Sequence, residues 1–190
     1  MYRFKEWFKN KLKVGRYPLP TELQKTDFKY VINVSDEYIS INQEICIENK
    51  IKYFWFPMDE VFSNIGVNSI YGALQILHIA EREDEKVLLH CHAGVNRSAT
   101  VADAYYFMRT KKHLLDLKTK EDVEFSEKVF VGYKDDGSIY KNNMLLNNIE
   151  EGRLPSIRKF EDFLISLEQF LNKQDELITE GGLNTIKIGM

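Results

Sequence analysis

The chain has 190 residues, a hydrophobic fraction of 44%, a charged fraction of 29% and a formal net charge of −3. That length accommodates one domain with its own core, and the balance is that of a globular chain rather than a disordered or membrane-spanning one. The mildly acidic charge counts against a broad basic surface for nucleic acid. Cys46 and Cys91 are the only cysteines, too few for a disulfide framework or for the paired couplets of a zinc site. A reducing, cytoplasmic setting is therefore expected, with neither a metal nor another cofactor.

In chain order, residues 1–14 form an amphipathic segment in which Phe4, Trp7, Phe8 and Leu12 recur at helical spacing among lysines and an arginine. This segment lacks the apolar core and cleavage site of a secretory signal. It is expected to dock on its own domain; rest on an anionic membrane surface is a second reading. No stretch approaches the roughly 20 apolar residues a membrane helix needs. Residues 15–175 read as the single folded domain and 176–190 as a tail.

Tyr30–Val34 and Ile51–Phe56 are rich in β-branched or aromatic residues and read as strands, with a short helix over Gln43–Asn49 between them. Ile70, Ala73, Leu74 and Leu77 mark a helix beginning near Asn68. Val87–His90 is short and wholly apolar up to its histidine, as a buried parallel strand should be. It runs through a glycine-containing loop into a helix over Arg97–Lys112, with Val101, Ala104, Tyr105 and Met108 on one face. Residues 114–148 are polar and aperiodic and read as an insertion, within which Val129–Val131 and Ile139–Tyr140 flank a hairpin turn at Asp135–Gly137. Pro155 and the stripe from Ile157 to Leu171 predict a last helix. Strands alternating with helices predict an α/β fold whose central, mostly parallel sheet is flanked by helices.

The segment with the clearest chemistry is His90-Cys91-His92-Ala93-Gly94-Val95-Asn96-Arg97-Ser98. Backbone N–H groups of such a loop, joined by those of the helix start, converge on one anion, and Gly94 supplies the backbone angles this needs. Residues His92 to Arg97 are thus the expected phosphate cradle, with Arg97 adding a planar fork for two phosphate oxygens. Cys91 lies at the floor of this electropositive cup, where the thiolate is favoured over the thiol.

The spacing of Cys91, Arg97 and Ser98 resembles the signature loop of the protein tyrosine phosphatase superfamily, and the fuller run is similar to that of its dual-specificity subclass. The resemblance implies that Cys91 attacks phosphorus, Arg97 stabilises the transferring phosphoryl group and Ser98 assists the thiolate as it leaves. His90 would tune the thiolate by hydrogen bonding from behind. An oxygen leaving group also needs a proton. The family places an aspartate on a loop after a strand, roughly thirty residues before the cysteine, and Asp59 stands there in Phe56-Pro57-Met58-Asp59. Asp59 is the expected general acid, and Glu60 and Asp84 are weaker candidates.

The implied activity is metal-free hydrolysis of phosphate monoesters through phosphocysteine. The implied partner is a phosphorylated protein carrying phosphotyrosine, and phosphoserine or phosphothreonine beside it. Two features depart from the subclass: the 114–148 insertion, and Asn96 where serine is frequent. Asn96 resembles the loop of phosphatases acting on RNA 5′ ends. A non-protein substrate, whether RNA 5′ end or phosphoinositide, and a phosphate-binding module without turnover are the alternatives. Among residues outside the loop, His78 and Cys46 are expected to be core residues, and Glu81–Lys86 a solvated helix end.

Overall fold

The computed structural model describes residues 2–59, 67–114, 129, 131–133, 139–141 and 161–180. Its centre is a four-stranded, all-parallel sheet in the order β1-β4-β2-β3. The strands are β1 (Leu12–Arg16), β2 (Tyr30–Asn33), β3 (Lys52–Trp55) and β4 (Val87–Cys91). The helices are α1 (Tyr2–Lys11), α2 (Pro20–Leu23), α3 (Ser40–Glu48), α4 (Val67–Arg82), α5 (Arg97–Thr110) and α6 (Glu161–Glu180). A separate antiparallel pair, β5 (Val131–Tyr133) and β6 (Ile139–Lys141), lies where the sequence suggests a hairpin, but its first strand begins at Val131, and Val129, expected in that strand, is helical. Helix α6 runs to Glu180, through the first five residues of the expected 176–190 tail. The hairpin turn, the start of the last helix near Pro155, residues 181–190 and most of the 114–148 insertion lie outside the described residues.

Period-2 alternation divides the sheet into two buried faces. Tyr30, Ile32, Val87 and Leu89 point into the larger core with α1, α4, α5 and α6, whereas Val31 and Leu88 point to a smaller one with Leu23, Phe28, Ile45, Cys46 and Ile51. The central helix differs from its expected one-faced pattern. Every residue of α5 except Arg109 is buried, because α6 covers the side turned away from the sheet.

The N-terminal segment also departs from expectation. Leu12 leaves the helix and opens β1, which pairs in parallel with β4 from Leu12 opposite Val87 to Arg16 opposite Cys91. The division expected after residue 14 falls inside this strand. Phe4, Trp7 and Phe8 are buried in the main core, with Phe4 and Phe8 edge-on or tilted against Tyr105 and Tyr106 at 5.3–5.9 Å. The Trp7 Nε1–H donates to the Glu85 carbonyl at 3.0 Å. The aromatics that would have entered a membrane are therefore spent on the protein's own core, and the membrane reading of this helix is withdrawn. Among the described residues no helix is long and apolar enough to cross a membrane.

Three smaller expectations are settled by packing. His78 is buried, with Nε2 2.9 Å from the Asp175 carboxylate on α6. Cys46 is buried in the smaller core, and burial pushes its thiol pKa up to about 12, the behaviour of a small apolar residue. The run at the end of α4 is not wholly solvated: Glu81 turns inward to accept hydrogen bonds from Tyr105 Oη and, at 3.0 Å, from Arg109 Nη2.

Candidate active site

Parallel pairing brings the carboxyl ends of the strands to one edge. Arg16 stands opposite Cys91, Asn33 opposite His90 and Trp55 opposite Asn33. Loops leaving the ends of β2, β3 and β4 therefore meet there, the place where ligands bind in open α/β sheets.

The loop from Cys91 to Asn96 connects β4, a strand buried along its whole length, to α5. Cys91 is buried, and its Sγ lies 3.3 Å from Ser98 Oγ in the first turn of α5. No side chain caps that helix start at Asn96, so its first N–H groups remain oriented for an anion. Gly94 has φ +70°, and a Cβ there would fall 2.3 Å from the Arg16 nitrogen and the Gly15 carbonyl carbon. The conformation and the contact both demand glycine. The neighbouring bond from Tyr17 N–H to the His92 carbonyl, at 3.2 Å, continues the β1–β4 pairing into the loop. β1 is thus the wall on which the cradle rests. Ala93 and His92 are exposed, and the His92 ring sits beside Tyr17 with centroids 5.6 Å apart.

Arg97 is buried. Its Nη1 donates to the Asp36 carboxylate and, at 3.1 Å, to the Met58 carbonyl. These bonds join the β2 and β3 loops to the cradle. Asp36 was not foreseen in the sequence. Its carboxyl is held below the usual carboxylate range, chiefly by the hydrogen bond from Arg97, so it stays ionised opposite the guanidinium. The turn that carries it is fixed by Asn33, whose Oδ1 accepts from Ser35 N–H at 2.8 Å and whose Nδ2 donates to the Glu37 carbonyl at 2.9 Å. Trp55 Nε1–H adds a bond to the Ser35 carbonyl at 2.9 Å.

Asp59 is exposed, one residue beyond the Met58 carbonyl that Arg97 holds. Its loop is anchored on α4, where Ser69 Oγ–H donates to the Pro57 carbonyl at 2.7 Å. A Cβ at Gly72 would fall 2.3 Å from the Phe56 ring, so a glycine on α4 admits the ring that ends the strand. Of the weaker acid candidates, Glu60 lies outside the described residues. Asp84 is excluded: it pairs with Lys11 at 3.0 Å, just before the start of β1, at the opposite edge of the sheet.

His90 is fully buried on β4. Its Nδ1 lies 3.3 Å from the Cys91 carbonyl oxygen, so its contact is with the backbone of Cys91 and not with the sulfur; its Nε2 has no partner among the described residues. Burial lowers its pKa to about 4, and the ring is neutral at neutral pH. Between about pH 6.5 and 4 the unfolded chain takes up a proton at this site that the folded chain refuses, so stability falls as pH falls. At 1.36 kcal/mol per pKa unit, this group's share of the loss is about 3 kcal/mol at pH 4. Thermal melting should show it: between pH 7 and pH 4 the unmodified protein should lose roughly 6–12 °C more in Tm than His90→Asn. Equal losses would mean that His90 takes up its proton in the folded protein as readily as in the unfolded chain.

A sheet edge carrying a thiol, an uncapped helix start and a buried arginine is the kind of site a cysteine phosphatase carries. The chain belongs to the family "Dual specificity phosphatase, catalytic domain", whose model matches residues 13–119, from β1 to just beyond α5. It is 35% identical over 83 residues to "Dual specificity protein phosphatase Mpk3" of Drosophila melanogaster, an alignment covering 44% of this chain and 20% of that protein. It is 32% identical over 82 residues to "Putative tyrosine phosphatase 123R" of Invertebrate iridescent virus 6, covering 40% of this chain and 57% of the relative. The chain thus spans only part of the curated relatives it matches. In fold it is similar to the crystal structure of DUSP15, with a TM-score of 0.51 at 15% identity over 85% of this chain and 90% of that one.

Proposed function

We propose that this protein hydrolyses phosphate monoesters of phosphoproteins, phosphotyrosine first and phosphoserine or phosphothreonine beside it, through a phosphocysteine intermediate. The observation that carries the reading is Cys91 Sγ at 3.3 Å from Ser98 Oγ, beneath the uncapped start of α5. The Cys91 thiolate attacks phosphorus, the S–P bond forms and the P–O bond breaks, and Asp59 gives its proton to the departing oxygen. Water then attacks phosphorus while Asp59 takes back a proton. The S–P bond breaks, orthophosphate leaves, and the Ser98 hydroxyl stabilises the sulfur as it departs. Arg97 and the loop N–H groups hold the equatorial oxygens through both steps. Two thiols without disulfides support work in a reducing compartment such as the cytoplasm.

A phosphoprotein substrate is favoured by the family and by the loop, whose variable positions Ala93, Val95 and Asn96 bring no lysine for a highly anionic lipid head. Asn96 alone points toward an RNA 5′ end. Parallel assays on a phosphotyrosine peptide, a phosphoinositide and a 5′-triphosphate RNA are expected to give the largest kcat/KM with the peptide, by at least about tenfold, equivalent to 1.4 kcal/mol in the transition state. A larger value with the RNA or the lipid would replace the substrate assignment, and turnover of none of the three would leave a binding module.

A further inference from the structure

Beside β1, on the sheet face that α2 and α3 cover, lies a cavity of about 450 Å³ that shares no residue with the loop from His90 to Ser98. It exists because β1 turns Leu12 and Val14 into the main core and so directs Lys13 to the other face, where the short α2 leaves the edge of the sheet uncovered. Lys11, Lys13, Lys25 and Lys86 line it against only two carboxylates, Glu22 and Asp27. Both acids are already engaged: Glu22 with Arg16 at 2.8 Å, a residue outside the lining, and Asp27 with Lys86. In a chain of net charge −3 this is a local reversal of sign.

We propose that this cavity is an accessory binding site for an organic polyphosphate of nucleotide size, independent of the phosphatase reading. Its volume lies within the range of small-molecule sites and far exceeds what a single phosphate ion would fill. Leu88 and Phe28 give the floor an apolar part that takes a ring or chain, and Asn10 and Thr26 add neutral hydrogen-bonding groups. The ammonium groups take the phosphates. Lys86 would exchange Asp27, and Lys11 would exchange Asp84, for phosphate oxygens. Both acids are well exposed, with relative side-chain accessibilities of 71% and 58%. Ion pairs of that kind contribute little to stability, so the exchange is not opposed.

The test is calorimetric titration of the 190-residue chain carrying Arg97→Ala, which removes the cradle's fork, with ATP and with inorganic tripolyphosphate in EDTA at moderate salt. One site for ATP is expected, binding it at least tenfold more tightly than tripolyphosphate. Adding Lys13→Ala and Lys25→Ala is expected to weaken ATP at least tenfold while lowering the Tm of the free protein by no more than about 4 °C, the scale of the bond that Lys13 Nζ donates to the Lys9 carbonyl at 3.2 Å. The proposal is overturned by loss of ATP binding with Arg97→Ala, by ATP affinity that survives removal of the lysines, or by tripolyphosphate binding as tightly as ATP.

Discussion

Replacing Cys91 by serine is expected to lower kcat/KM for p-nitrophenyl phosphate by on the order of 10⁴-fold or more, because a neutral hydroxyl at this site cannot stand in for a thiolate nucleophile. Few substitutions change the surroundings less. The side chain is buried under Ser98, and sulfur to oxygen removes volume without adding any. The anion site itself should survive, since its donors are the main-chain N–H groups of the loop and of the α5 start, together with Arg97. Binding of sulfate, a tetrahedral dianion that forms no bond to sulfur, should therefore weaken by no more than about threefold relative to the unmodified protein, a difference of roughly 0.6 kcal/mol. Measuring both quantities on the same preparation separates the two roles. Residual turnover within tenfold of the unmodified enzyme would remove Cys91 as nucleophile, and parallel loss of sulfate binding would trace the defect to a damaged cradle.

Why some of this was legible in the sequence and some was not follows from the distance over which each signal acts. The cradle is local. Cys91, Gly94, Arg97 and Ser98 lie within eight consecutive residues, and the strand before and helix after are set by short-range pattern, so their grouping needs no tertiary knowledge. β2, β3, β4, α4 and α5 were read nearly to their ends for the same reason. β1 was not. Leu12-Lys-Val-Gly-Arg16 follows directly on a basic aromatic helix without a breaker, and Gly15 argues against a strand; only the pairing with β4 makes it one. Gly15 and Arg16 matter because their backbone meets Gly94, a contact between positions nearly 80 residues apart. Asp36 is invisible in the same way: an acid after Val34-Ser35 has no motif, and its role appears only when the β2 loop is laid over Arg97. The inward turn of Glu81 depends on Tyr105 and Arg109 of α5, and the all-round burial of α5 on α6, neither of which the period of one helix can report.

Asp59→Asn carries the second large effect, and it should depend on the leaving group. Asp59 follows the segment that Arg97 holds through the Met58 carbonyl and that Ser69 ties to α4. Both carbonyl contacts are kept in Asp59→Asn, which exchanges one carboxylate oxygen for an amide nitrogen of nearly the same size. What asparagine cannot do is donate a proton to the departing oxygen. For a phosphotyrosine peptide, whose phenolate leaves poorly, kcat/KM, which reports the steps up to departure of the phenol and not the later hydrolysis of phosphocysteine, is expected to fall by about 10²–10³-fold, within the usual range for loss of general acid catalysis. For an aryl phosphate with a strongly electron-withdrawn, acidic phenol the expected fall is less than about tenfold, since that oxygen departs with little help from a proton. A merely structural role for Asp59 would lower both substrates by the same factor, because a displaced loop disturbs the cradle whatever the leaving group. The ratio of the two losses is therefore the measurement: a ratio near one assigns Asp59 to the architecture of the loop and leaves the proton to another group.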